Sequence, residues 1–177
     1  MVRRIVTIDN DDGKSFALAD NYLDNPLIDP ARLGFKRQRI WMTRTTPCSI
    51  DLLSFIDLQK EILYPPKDGS VIHIYTFPPD DIWLRTIQSS DVRSYFESIN
   101  AVDASLYSLG LHPYYQKTES LDLCVVLKGE VTLILDTTEV NLSAGDSIVQ
   151  KASAHAWANR SSNDCIIAIS SHDGKVN

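Results

Sequence analysis

Cysteine is scarce in this chain. Cys48, Cys124 and Cys165 lie far apart and form no Cys-x-x-Cys pair, which excludes a disulfide framework and a zinc-ribbon pattern. An odd, sparse cysteine count fits a reducing compartment, so a cytoplasmic location is expected. Long apolar runs are missing too, and no stretch approaches the length of a membrane span. The opening Met1-Val2-Arg3-Arg4-Ile5 lacks the apolar run of a signal peptide. Basic charge is in deficit, 17 Lys and Arg against 23 Asp and Glu for a net charge of −6, which argues against a nucleic-acid or anionic-membrane surface. The two short basic clusters, Arg3-Arg4 and Lys36-Arg37-Gln38-Arg39, are expected to be solvated faces. Phosphate-cradling glycine loops, a nucleophile elbow and a His-Glu-x-x-His segment are all absent.

What remains is an ordinary globular composition, 44% hydrophobic over 177 residues, enough for one domain with a core of its own. Residues 3–19 read as a hairpin, with Arg4-Ile5-Val6-Thr7-Ile8 and Ser15-Phe16-Ala17-Leu18 flanking Asn10-Asp11-Asp12-Gly13. Residues 20–34 read as loop. Arg39 to Thr43 is β-like, Ile50 to Leu63 has helical spacing and stops before Pro65-Pro66, and Val71 to Phe77 is a β-branched and aromatic strand. A short helix is expected from Ser90-Asp91 to about Asn100. The last third carries dense short strands: Leu121–Val126, Val131–Leu135, Glu139–Leu142, Ser147–Gln150, Ala156–Asn159 and Cys165–Ser170. Regular turns between such strands imply a sandwich or barrel. Residues 1–177 are therefore expected to form one domain, with an N-terminal arm and loop over 1–34 and a barrel over 35–177.

Two constellations stand out. In the first, Gly110, Gln116, Thr118, Asp122 and Gly129 keep a fixed spacing. In the second, Gly145, Gln150, Ala152, His155 and Asn159 do the same, ending in His155-Ala156-Trp157-Ala158-Asn159. These segments, 110–129 and 145–159, resemble the two motifs of the cupin superfamily, with one residue fewer after Gly145. The wider chain is similar to single-domain cupins of small-molecule biosynthetic pathways. The resemblance implies a mainly β, double-stranded β-helix (jelly-roll) barrel with a small-molecule site inside.

It also implies a metal held by two His, a Glu and a later His. Here those places hold Gln116, Thr118, Asp122 and His155. Gln and Thr are poor donors for a divalent transition metal, so no metal and no cofactor are expected, unless His73 or His112 supplies a third ligand. Asp122 and His155 are the candidate catalytic pair. A carboxylate beside an imidazole is expected to fix its tautomer, raise its pKa and make it a proton shuttle. Gln116, Thr118, Tyr75 and Trp157 are the candidate substrate-binding residues. The function expected is a metal-independent dehydratase, isomerase or cyclase acting on a small organic molecule. A metal-dependent oxygenase or decarboxylase and a non-catalytic binding barrel are the alternatives. Many cupins dimerise by pairing N-terminal strands, so a homodimer is expected, with no nucleic-acid or membrane partner.

Overall fold

The computed structural model describes residues 2–50 and 61–176. The helical pattern of residues 50–63 falls mainly on 51–60 and so lies outside the described residues. Among those described, no helix is long and apolar enough to cross a membrane.

Turn chemistry sets the first element. Strands β1 (Arg3–Asp9) and β2 (Ser15–Tyr22) pair antiparallel. The Asn10 side chain accepts from the Asp12 and Lys14 amides, and Gly13 takes a positive φ of 72°, the left-handed conformation glycine adopts without a Cβ clash. This hairpin is a two-stranded sheet of its own, as expected. The two-residue β3 (Leu27–Ile28) pairs with β4 (Lys36–Thr43), so the barrel begins inside the stretch assigned to the arm and loop.

The main sheet has six antiparallel strands in the order β3-β4-β5-β11-β6-β9, with β5 Ser70–Phe77, β6 Ser120–Lys128, β9 Ser147–Lys151 and β11 Cys165–Asp173. A three-stranded sheet, β10-β7-β8, is built from β7 Glu130–Ile134, β8 Glu139–Ser143 and β10 Ala156–Ala158. Val126, Ile167 and Tyr75 from the larger sheet share one core with Val131, Leu133, Leu142 and Trp157 from the smaller. Two antiparallel sheets facing across one core, with β10 returning beside β7 and β11 beside β5 and β6, make the double-stranded β-helix implied by the motifs. Among the described residues one α-helix, α1 (Ser89–Ser98), opens with the Gln88 amide donating to Asp91 and buries Val92, Tyr95 and Phe96 against the same core.

Period-two alternation decides what enters the barrel. It buries Val71, His73, Tyr75 and Phe77 on β5, Ser120, Asp122, Cys124 and Val126 on β6, and Cys165, Ile167, Ile169 and Ser171 on β11. The same alternation overturns the expectation that the basic cluster on β4 is a solvated face. Arg37 and Arg39 are 1% and 7% exposed, because they occupy the inward places on β4. Arg37 Nη2 donates to Glu61 at 2.6 Å, so the buried cation is paired. Arg4 is buried as well, whereas Arg3 stays outside with Asp20.

Two motif residues act on the fold. Asn159 is fully buried; its Nδ2 donates to the Phe77 and Asn163 carbonyls, and its Oδ1 accepts from Ser161. It ties the end of β10 to the end of β5. Ala152, where the cupin motif has glycine, has a φ of 53°, so the backbone keeps the left-handed turn after the glycine is gone.

Candidate active site

The interior opens into a cavity of about 40 Å³ that is lined by Gln116, Thr118, Asp122, His155, Tyr75 and Trp157, together with Arg32, Tyr114, Gln150 and Ser171. All six sequence-derived candidates therefore face one space.

Strand register sets one polar row of the wall. Asp122 on β6 lies opposite Ser171 on β11 and opposite Gln150 on β9. Directly opposed residues have Cβ atoms about 4.5–5.5 Å apart, so the three side chains form a strip. Residues 116 and 118 are not on β6, which starts only at Ser120. Gln116 reaches the cavity instead by a bridge with His155, each backbone amide donating to the other's carbonyl at 2.9 Å. Thr118 Oγ1 lies 2.8 Å from Ser120 Oγ.

His155 is 3% exposed, and its Nδ1 lies 2.8 Å from the Ser153 carbonyl oxygen. A carbonyl only accepts, so Nδ1 carries the proton and Nε2 holds the lone pair. The tautomer is thus fixed by Ser153, two residues away, and not by Asp122 as expected. The direction of the pKa shift also departs from expectation. Burial lowers the imidazole pKa, and the Ser153 hydrogen bond and the Asp122 charge only partly oppose it. His155 is a neutral base at pH 7.

Asp122 is 7% exposed, and its Oδ1 has no hydrogen-bond partner among the described residues. Cys124, the next inward residue on β6, sits 3.7 Å from Gln150 Oε1, and burial pushes its thiol up to about 12. It is a packing group at neutral pH.

Opposite charge comes from the segment before β4. Arg32 is buried, with its guanidinium 3.5 Å from the Tyr114 ring centroid and 3.7 Å from that of Phe35. Its Nε donates to Asp29 at 2.8 Å, and the Tyr114 hydroxyl donates to the same carboxylate oxygen at 2.6 Å. Sequence reasoning missed Arg32, which lies in a stretch without periodicity. Gln150 carried a signal, since it stands in the second motif where the pattern has proline.

The donor set does not fit a resident divalent metal. The four motif positions offer an amide, a hydroxyl, one carboxylate and one imidazole. His73 and His112 do not complete it, and neither lines the cavity. His73 is fully buried beside Arg37 and Arg39, and burial followed by those two charges lowers its pKa well below the usual range. His112 packs on Trp83 and Tyr114, its Nδ1 accepts from the Tyr114 amide, and burial takes its pKa down to about 4. Among the described residues no group of three His, Cys, Asp or Glu side chains could hold a metal ion.

No protein-family model matches the chain. Among curated proteins it is similar to the Phomopsin biosynthesis cluster proteins C′ and D of Diaporthe leptostromiformis. Each is 50% identical over 46 residues, 25% of this chain and 24% of the relative. The chain thus matches about a quarter of each relative's length. Among solved structures it is similar to a Cupin 2 conserved barrel domain protein from Salinispora arenicola, with a TM-score of 0.45 and 11% identity, covering 89% of this chain and 91% of the other. An RmlC-like cupin from Shewanella frigidimarina gives a TM-score of 0.43 and 12% identity, with 88% and 90% covered. A putative ethanolamine utilization protein from Salmonella typhimurium gives 0.43 and 7%, with 99% and 98% covered. The barrel itself is read from the strand order and register of this chain.

Proposed function

We propose that this barrel is a metal-independent biosynthetic enzyme that moves a proton on a small organic molecule by means of His155 and Asp122. One observation carries the reading. A neutral imidazole with a fixed tautomer and a buried, unpartnered carboxylate oxygen lie on the wall of one cavity. His155 Nε2 accepts a proton from carbon, and the freed electron pair has three outlets. It forms a double bond as a neighbouring carbon–oxygen bond breaks and the leaving oxygen takes the proton, giving dehydration. It shifts a double bond and the proton returns to another carbon, giving isomerisation. Or it attacks a carbonyl carbon of the same molecule and the carbonyl oxygen takes the proton, giving cyclisation. Asp122 stabilises the imidazolium formed in between, since its charge already favours that state. Gln116, held beside His155, and Thr118 would hydrogen-bond the substrate, while Tyr75 and Trp157 supply apolar walls. Local similarity to two proteins named for a biosynthesis cluster supports a biosynthetic setting.

The experiment is a gene replacement in the native host. His155→Gln should make a precursor accumulate and its product disappear in metabolite profiles, with the protein still folded. Unchanged profiles with His155→Gln and with Asp122→Asn would leave a barrel that binds without turning over.

A further inference from the structure

This inference rests on the cavity being the substrate site and concerns what kind of molecule it takes. Three buried polar atoms of lining residues have no hydrogen-bond partner among the described residues: Arg32 Nη2, Gln150 Nε2 and Asp122 Oδ1. A buried polar atom without a partner costs about 1–3 kcal/mol, so three around one cavity are a chemical description of what completes it. We propose that the cavity takes a hydroxy-carboxylic acid, with the carboxylate on Arg32 and the hydroxyl between Asp122 and Gln150.

The assignment of each end follows from donor and acceptor roles. Asp122 and Gln150 are opposed in register across β6 and β9, so an orphan acceptor lies beside an orphan donor. A hydroxyl is the small group that both donates to a carboxylate oxygen and accepts from an amide; an ammonium only donates. Arg32 is a donor alone. Asp29 occupies its Nε, and the faces of Phe35 and Tyr114 hold the guanidinium plane, which leaves Nη2 for a planar anionic acceptor. Position in the fold separates the two ends. Arg32 lies between β3 and β4, whereas Asp122 and Gln150 belong to neighbouring strands of the main sheet. The size fits as well. A space of about 40 Å³ holds roughly three waters, so the acid is a small one.

The test is an NMR titration of the full chain with 3-hydroxybutyrate, its amide 3-hydroxybutyramide, and butyrate. The hydroxy acid should bind at least about tenfold more tightly than either relative, the ratio expected for one good charge-assisted or neutral hydrogen bond. Arg32→Lys keeps a cation for Asp29 but removes Nη2, and should reduce the preference for acid over amide. Gln150→Leu should reduce the preference for hydroxybutyrate over butyrate, since only the bond to Asp122 then holds the hydroxyl, while acid still beats amide. Equal binding of acid and amide by the wild-type protein, or no binding of any of the three probes at tens of millimolar, overturns the proposal without reference to a variant. Turnover that depends on His155 in a protein with no carboxylate preference would leave the acid–base reading standing and overturn this inference alone.

Discussion

The two faces of strand β6 invert the usual pattern of a sheet. Its inward residues begin polar, with Ser120 and Asp122 buried ahead of Cys124 and Val126, whereas its outward residues Leu121, Leu123, Val125 and Leu127 are apolar and 37–52% exposed. Burying a carboxylate without a partner and leaving leucines in water are both unfavourable. Stability alone selects neither. At Asp122 the inner anomaly falls in the row Ser171–Asp122–Gln150, at the cavity; further along β6 and β11, Val126 and Ile167 pack as a conventional core. Polar residues are therefore placed where a ligand would meet them, and the outer face is left as a surface that another molecule could cover.

The largest effect expected from breaking the inner face is on chemistry. A general acid–base residue typically contributes about 10²–10⁴-fold in rate, so His155→Ala should lower turnover by that order in a kinetic assay on the true substrate. Asp122→Asn should also impair it, and the double variant should be little worse than the worse single one, because the pair acts as a unit. The acid limb of the rate profile should fall below 6.5, since burial lowers the His155 pKa and the base stays unprotonated there.

Stability should move the opposite way at Asp122. Asp122→Asn removes a buried charge without a partner at Oδ1 and should raise stability to denaturant by about 1 kcal/mol, within the gain common for relieved functional sites. A loss of stability would mean that the carboxylate is structurally engaged.

Acid should weaken the whole interior. His73, His112 and His155 all have pKa values lowered by burial, so the unfolded chain binds more protons below about 6.5 and stability falls as pH drops. Asp80 has the opposite sign. Burial raises it to about 6, so on acidification it takes up its proton first in the folded state. His73 and His112 together outweigh Asp80, so unfolding free energy should fall from pH 7 to pH 5. A flat urea midpoint over that range would contradict the burial of these imidazoles.

How much of this was legible in the sequence follows the same inner and outer division. Strand positions and the hairpin could be read because period two and turn residues are local signals; motif spacing marked 116, 118, 122 and 155, although 116 and 118 reach the cavity from outside β6. Ala152 shows how strong that register is, since its backbone keeps the glycine conformation without the glycine. What could not be read depends on contacts between distant segments. Ser153 rather than Asp122 holds the imidazole, Arg32 enters the cavity from a stretch without periodicity, and the inward Arg37 is met by the distant Glu61. Charge clusters look solvated in one dimension. Only the pairing of β4 with β5 shows which of their side chains point inward.

The smallest effect on stability, and the sharpest test of the outer face, concerns assembly. A homodimer is the proposal, and two surfaces could make it: the β1–β2 hairpin, which among the described residues pairs with no other sheet, and the apolar face of β6 with Val149 of β9 across from Leu123. Contiguous exposed apolar residues on a sheet mark an interaction surface, while a free hairpin edge can pair with a second chain. Leu123→Thr with Val125→Thr keeps β propensity and touches no inward residue, so the unfolding free energy of the monomer should change by no more than about 0.5 kcal/mol. If the sheet face makes the dimer, light scattering at micromolar concentration should shift to the monomer mass in that double variant and not on deletion of residues 1–19. If the hairpin makes it, the deletion alone should do so. A wild-type protein that already scatters as a monomer would remove the dimer and leave the outer leucines facing water, an anomaly on one side of β6 only.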